Sequence, residues 1–363
     1  MTKNGNCINF HIVLTALSPV HIGSGQEVLK KNFLFDSKSG TVTFYDMDKL
    51  FGLIAKYGKI DQYERYMLSG DDRMERFISS CELTRNDFRE AELYSVQTAG
   101  VFDSEHTLTS IRKFVRLADS RPYIPGSSLK GALRTVVLHS LIREGQYTER
   151  NLKDKRGKYT SEPVEHELLD TLDLGDKNVS PQCQSVMRGL MISDSEPISN
   201  SDIILAKKLD EFVYDSDSSQ NRINTIRECV RPGTKLRFAV TIDTSLINMT
   251  SEKLLGLIRN WFGTYEDSYL SRFDKGESTL PDNNGCCIVI GGGSGYFSKN
   301  ITYSALGHKP AVSWLQGYFT AQKKLKTHKH EYDIEDDISP HMLKCTEYIG
   351  RLVQFGICGV EVE

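Results

Sequence analysis

Near the N-terminus, INFHIVLTAL (residues 8–17) sets apolar side chains in the near-alternation of a β-strand. It runs into SPVHIGSGQE, where proline and glycine predict a turn. NFLFD and TVTFYD then predict a hairpin about Ser39 and Gly40. From about 46 to 118 the text becomes charged with helical period, as in DQYERYML and RMERFISSCEL, which predicts a helical insertion. Leu129, Ala132, Leu133, Val136, Val137 and Leu141 recur at spacings of three and four, one face of a helix. Pro125 cannot sit inside that helix, and Gly126, Ser127 and Ser128 offer capping groups, so the helix is predicted to begin there. Residues 145–186 are polar and turn-rich and read as a mobile surface segment. RGLMISDSEPI and TKLRFAVTID read as strands, and EKLLGLIRNWFGTYEDSYL as an amphipathic helix. CCIVIGGGSGYFSKN is a strand entering a glycine-rich loop, and FGICGVEVE a last strand. This order predicts an α+β fold, with antiparallel sheets and helices on one face, over a doubly wound parallel sheet.

Composition narrows the class. With 363 residues, 39% hydrophobic and 26% charged, the chain can bury a substantial core and is globular. A net charge of −3 means that any polyanion binding must come from local patches. The eight cysteines form no CxxC pair, so free and mostly buried thiols in a reducing compartment are expected. The histidines show no metal-binding spacing, and neither a metal nor a cofactor is predicted. No apolar run is long enough to cross a bilayer and the N-terminus reads as a strand, so a soluble, cytoplasmic protein is expected.

Three places could carry chemistry. The first is YIPGSSLKGALRT (123–135). A helix N-terminus exposes unpaired N–H groups and carries partial positive charge, so Lys130 and Arg134 there are unfavourable unless an anion is bound. The plainer reading is a serine cap with two solvated cations. Between Arg112 and Arg150, eight basic residues face three acidic ones, a local +5 that favours the anion site. The second is IGGGSGYFSKN (290–300). A P-loop would need Gly-Lys-Ser/Thr where Gly295 is followed by Tyr296, and a dinucleotide fold would need an acid where residues 283–330 have none. Gly291, Gly292, Gly293 and Gly295 followed by Tyr296, Lys299 and further lysines suit a nucleic-acid strand, through stacking and phosphate neutralisation. A structural glycine hairpin with solvated lysines is the alternative. The block EYDIEDD (331–337) reads as a solvated loop or a protein contact rather than a metal site. The third is SPVHIGSGQE, where His21, Gly23, Ser24 and Gly25 sit together. His21 is the one weak candidate for an acid/base in metal-independent RNA cleavage, although a lone histidine in a turn is usually structural.

LTALSPVHIGSG, YIPGSSLKGALRT, GLMISDSEPI and GGGSGYF, in that order and spanning Leu14 to Gly295, resemble the RAMP superfamily of CRISPR-associated proteins. Within it, the helical insertion and the SPVHIGSG form are most similar to the fifth-subunit family of type III-A Csm effector complexes. The resemblance implies ferredoxin-like (RRM-like) modules in tandem. The first would cover residues 1–235 with the insertion at about 46–118, and the second residues 236–363 with the glycine-rich loop. It also implies a non-catalytic subunit that binds crRNA near its 3′ end, caps the complex and supports crRNA maturation. Its partners would be crRNA, the repeating backbone subunit and other Csm subunits, and host nucleases that trim the RNA. The superfamily's central motif falls on Gly126, Ser127, Ser128, Lys130, Gly131 and Arg134, and its glycine loop on Gly291, Gly292, Gly293 and Gly295. The competing expectation is a Cas6-like endoribonuclease using His21.

Overall fold

In the computed structural model, which describes residues 2–70, 73–99, 108–142, 146–172, 180–213, 225–273, 285–321 and 330–363, the first alternating segment becomes the centre of a sheet. The chain opens with β1 (Thr2–Asn4), β2 (Cys7–Ala16), β3 (Gly23–Leu29), β4 (Phe33–Asp36) and β5 (Thr41–Tyr45). Helices α1 (Met47–Lys56), α2 (Ile60–Leu68) and α3 (Met74–Ser80) precede β6 (Glu92–Thr98) and β7 (Ser110–Phe114). Next come α4 (Gly126–Leu141), α5 (Glu162–Leu169), β8 (Leu190–Ile192), β9 (Ile203–Lys207), β10 (Leu209–Phe212), β11 (Ile226–Val230) and β12 (Lys235–Asp243). The remainder is α6 (Ser251–Ser268), β13 (Cys287–Val289), α7 (Thr302–Leu306), α8 (His308–Ala321), β14 (Met342–Tyr348), β15 (Arg351–Gln354) and β16 (Ile357–Val362).

A six-stranded sheet runs β13-β16-β2-β12-β8, with β1 added to β2. Taken in chain order, β2, α4, β8, β12, α6 and β13 make the βαββαβ sequence of a ferredoxin-like module, with β16 slotted between β13 and β2. Residue 235 opens β12, which pairs along its whole length with β2, from Lys235 opposite Thr15 to Asp243 opposite Cys7. The two halves of the sequence therefore share this sheet. The alternation read in TKLRFAVTID holds: Leu236, Phe238, Val240 and Ile242 are buried in β12, and Phe10, Ile12, Leu14 and Ala16 in β2. Helices α4 and α6 pack side by side over this layer. Each buried Leu, Val or Phe side chain is worth about 1.5–3 kcal/mol. On α4 these are Leu129, Leu133, Val136, Val137 and Leu138, whereas Leu141, expected on the core face, is exposed at the helix end.

A second, seven-stranded sheet runs β3-β7-β11-β9-β6-β5-β4, and β10, β14 and β15 make a third. The expected hairpin is β4 against β5, with Asp36 opposite Thr41. The helical insertion is shorter than predicted. It ends by Ala91 with a small core of its own (Leu50, Ile54, Tyr66, Phe77 and Phe88), and β6 and β7 are sheet strands. The turn read at HIGSG is likewise strand from Gly23, on the sheet edge, with a register shift between Gly23 and Glu27. Its positions are mostly exposed, so no apolar alternation marked it. Within 145–186 the described part is packed rather than peripheral: Tyr147, Leu152, Val164 and Leu169 are buried. All eight cysteines are free and six are buried.

Candidate functional site

Three segments that lie far apart in sequence line one cleft of about 500 Å3. They are Ile22 and Gly23, the first turns of α4 (Ser127, Ser128, Gly131, Arg134 and Thr135), and the loop after β13 (Gly291, Gly292, Ser294, Ser298 and Lys299). The lining offers hydroxyls, backbone from a glycine loop and two cations, and it contains no carboxylate.

The α4 wall owes its position to Gly126. A Cβ there would lie 2.4 Å from the carbonyl oxygens of both Ile192 and Ser193, so only glycine lets the helix begin against the chain leaving β8. Gly126 is thus a packing residue outside the cleft. The predicted serine cap is absent. Instead the Gly126 N–H donates to Asp194 Oδ1 at 2.9 Å, and this carboxylate suits the positive end of the helix. Capping from a distant segment leaves Ser127 and Ser128 to line the cleft. Arg134 also lines it, held by an ion pair to Glu165 of α5. Lys130 stands off the lining, and partial burial lowers its pKa.

The glycine loop is docked on the segment before β3. The Gly292 N–H donates to the His21 carbonyl at 2.7 Å. Gly291 has φ +85°, and a Cβ on it would sit 2.4 Å from that same oxygen. Gly293 lies against Arg227, whose Nη1 would be 2.7 Å from a Cβ there, while Gly295 turns through open space and does not line the cleft. Ser294 and Ser298 brace the loop, donating to the carbonyls of Gly291 and Ser294. Burial and the nearby Arg227 charge lower the pKa of Lys299.

Arg227 is a member of this site that no sequence motif announced. It projects from β11 beneath the loop, 8% exposed, with Nε and Nη1 unpartnered and its guanidinium 5.8 Å from the Phe355 ring centre. A buried guanidinium with two N–H groups unpartnered places positive charge behind Gly292 and Gly293. The only sequence signal was a pair of charged residues, Arg227 and Glu228, inside the otherwise apolar strand IRECV.

Several candidates are placed elsewhere. Ser24 and Gly25 lie on the exposed start of β3, with the Ser24 hydroxyl donating to the Lys113 carbonyl at 3.3 Å. Tyr296 does not present a stacking face. Its hydroxyl is 3.0 Å from Thr302 Oγ1, its ring meets Phe319 edge-on, and Phe297 joins the core aromatics Tyr265, Tyr269 and Tyr303. The turn after the glycines directs both rings inward, where large aromatic surface is worth most. Lys309 is exposed on α8, and Lys323, Lys324, Lys326 and Lys329 lie outside the described residues.

His21 is 5% exposed, and its Nδ1 is 2.7 Å from the Glu228 carbonyl, so the ring is a bracket between segments. That geometry does not suit an acid/base meeting a substrate. Burial, with the Arg227 and Arg112 charges assisting, lowers its pKa to about 4. The unfolded chain takes up this proton near 6.5, before the folded one does. The contribution is therefore complete above pH 6.5 and is lost as pH falls towards 4, by about 3 kcal/mol in all. Thermal midpoints should drop across that window, and less steeply in His21→Gln; an identical slope in the variant would rule the histidine out.

Among the described residues no helix is long and apolar enough to cross a membrane. A profile of the RAMP superfamily matches residues 13–250. A CRISPR system protein named Csm5 from Streptococcus thermophilus is 27% identical over 306 residues, covering 82% of this chain and 81% of that one. The Csm5 of Enterococcus italicus is 24% identical over 327 residues, covering 81% and 80%. Two solved structures share the fold at 16% identity. One is a chain of a Csm–crRNA–target RNA ternary complex of a type III-A system (TM-score 0.64, covering 97% of this chain and 100% of that one). The other is the crystal structure of T. onnurineus Csm5 (TM-score 0.62, covering 96% and 99%).

Proposed function

The chain belongs to the RAMP superfamily, and from that premise we propose that it is a Csm5-type subunit of a type III-A CRISPR ribonucleoprotein that holds the sugar–phosphate backbone of crRNA in the cleft between α4 and the glycine loop. One observation carries the reading: three segments separated by more than a hundred residues each bring phosphate-compatible groups, and no carboxylate, to a single cleft. Hydroxyls, backbone and cations read phosphate and shape rather than base identity, as a subunit that must accept any guide requires. The subunit binds near the 3′ end of the crRNA, caps the filament of repeating backbone subunits and supports maturation by leaving trimming to host nucleases. Its partners are crRNA and the other Csm subunits. The role is binding without chemistry of its own, which is consistent with the sequestered His21.

Arg134→Ala with Lys299→Ala should weaken crRNA binding about equally for unrelated guides. For every phosphate no longer neutralised, the slope of log K against log salt should fall by about 0.7–0.9. Lys130→Ala, off the lining, is the control and should leave the slope nearly intact. Filter binding or anisotropy across a salt series decides: an unchanged affinity and slope in the double variant would remove the cleft from the RNA interface.

A further inference from the structure

Away from the cleft, the connection from α8 to β14 gathers His330, Asp333 and His341 into one buried cluster whose ligand-type atoms lie within 4.8 Å of one another. The three residues are 6%, 0% and 1% exposed. His330 Nδ1 is 2.8 Å from Asp333 Oδ2, and His341 Nδ1 is 2.6 Å from Asp333 Oδ1. Each carboxylate oxygen thus faces one imidazole. The expectation of a solvated loop at EYDIEDD fails at Asp333, which points into the protein with no exposure at all.

The charged-type partners of Asp333 are, among the described residues, the two imidazoles alone. Among the described residues no lysine or arginine pairs with Asp333, and Arg272 is taken by Asp337 at 2.9 Å. In the same turn, Asp336 Oδ2 is also buried without a hydrogen-bond partner. Taking carboxylates out of water costs several kcal/mol each unless a cation answers them.

We propose that His330, Asp333 and His341 are the protein ligands of one structural zinc ion. Two imidazole nitrogens and a carboxylate oxygen are a zinc donor set. Bonds of about 2.0–2.2 Å put tetrahedral ligand atoms roughly 3.3 Å apart, so the two Asp333–imidazole separations of 2.8 and 2.6 Å must open slightly and the wider spread of the cluster, within 4.8 Å, must close. The site is closed and buried, which marks a structural rather than a catalytic metal. It would staple the turn at 331–337 to the start of β14, the middle strand of the third sheet. The inference is independent of the RNA-binding reading.

The test uses the full chain without a polyhistidine tag, stripped with a chelator and then titrated with zinc against a competing chromophoric chelator. One zinc per chain should bind, cobalt in its place should give the visible absorption of a tetrahedral site, and the thermal midpoint should rise with zinc. Asp333→Asn and His341→Gln should lose the bound equivalent, and Glu335→Gln, exposed in the same turn, should keep it. If either ligand variant fails to fold, the wild-type titration decides alone. No bound equivalent in the wild-type chain overturns the site, and zinc retained by both ligand variants overturns the assignment.

Discussion

Arg116→Met should lower the stability of this protein by about 3–5 kcal/mol, because it strands a buried carboxylate. Glu228 has no exposed surface; its Oε1 is 3.0 Å from Arg116 Nη2 and its Oε2 accepts the Phe114 N–H at 2.7 Å. Arg116 lies flat over Tyr94, 3.6 Å from the ring centre, and also donates to the Ser120 carbonyl at 2.9 Å. The connection continues through the Glu228 main chain to His21 Nδ1, and from the His21 carbonyl to Gly292 in the glycine loop. Loss of the pair should therefore reach the cleft, reducing RNA affinity together with stability. Adding Glu228→Gln to Arg116→Met should recover part of the loss, since removing both charges is far less destabilising than removing one. Denaturant unfolding of the two single variants and the double variant closes a mutant cycle. Additive losses across it would mean that the ion pair is not what holds this junction.

The second large effect comes from two glycines in one helix that should respond with opposite signs. Gly126→Ala places a methyl group 2.4 Å from two carbonyl oxygens that belong to the backbone and cannot rotate away. Overpacking of this kind costs about 1–3 kcal/mol or more, and relief requires the start of α4 to move off the chain after β8. Ser127, Ser128 and Arg134 would move with it, so crRNA affinity should fall well beyond the loss of stability. A Cβ at Gly131, one turn later, meets nothing within 4 Å. Gly131→Ala should therefore stabilise the helix by about 0.5–1 kcal/mol through propensity alone. Thermal melts and binding isotherms of the two variants check this pair. Equal stabilities would show that α4 does not depend on that close approach.

Much of this protein was legible in the order of its residues. Alternation in INFHIVLTAL and TKLRFAVTID and the three-four spacing after Pro125 marked β2, β12 and α4, the elements on which the ferredoxin-like order rests. These signals are local, set by the 2.0 and 3.6 periods of strand and helix, and burial of one face preserves them. The motifs that line the cleft were also visible as motifs: HIGSG, GSSLKGALR and GGGSG.

Tertiary structure alone decided which residue in each motif does what. It gave Gly126 to packing, took the helix cap from Asp194, turned Tyr296 and Phe297 into the core, and set Arg227 beneath the loop with two of its guanidinium nitrogens unpartnered. It also brought Asp333 inside between two histidines. Each of these depends on contacts between segments distant in the chain or on the way a loop turns. A propensity or a short spacing carries no record of such contacts, because the free energy that selects them is released only when the sheets and helices close on one another.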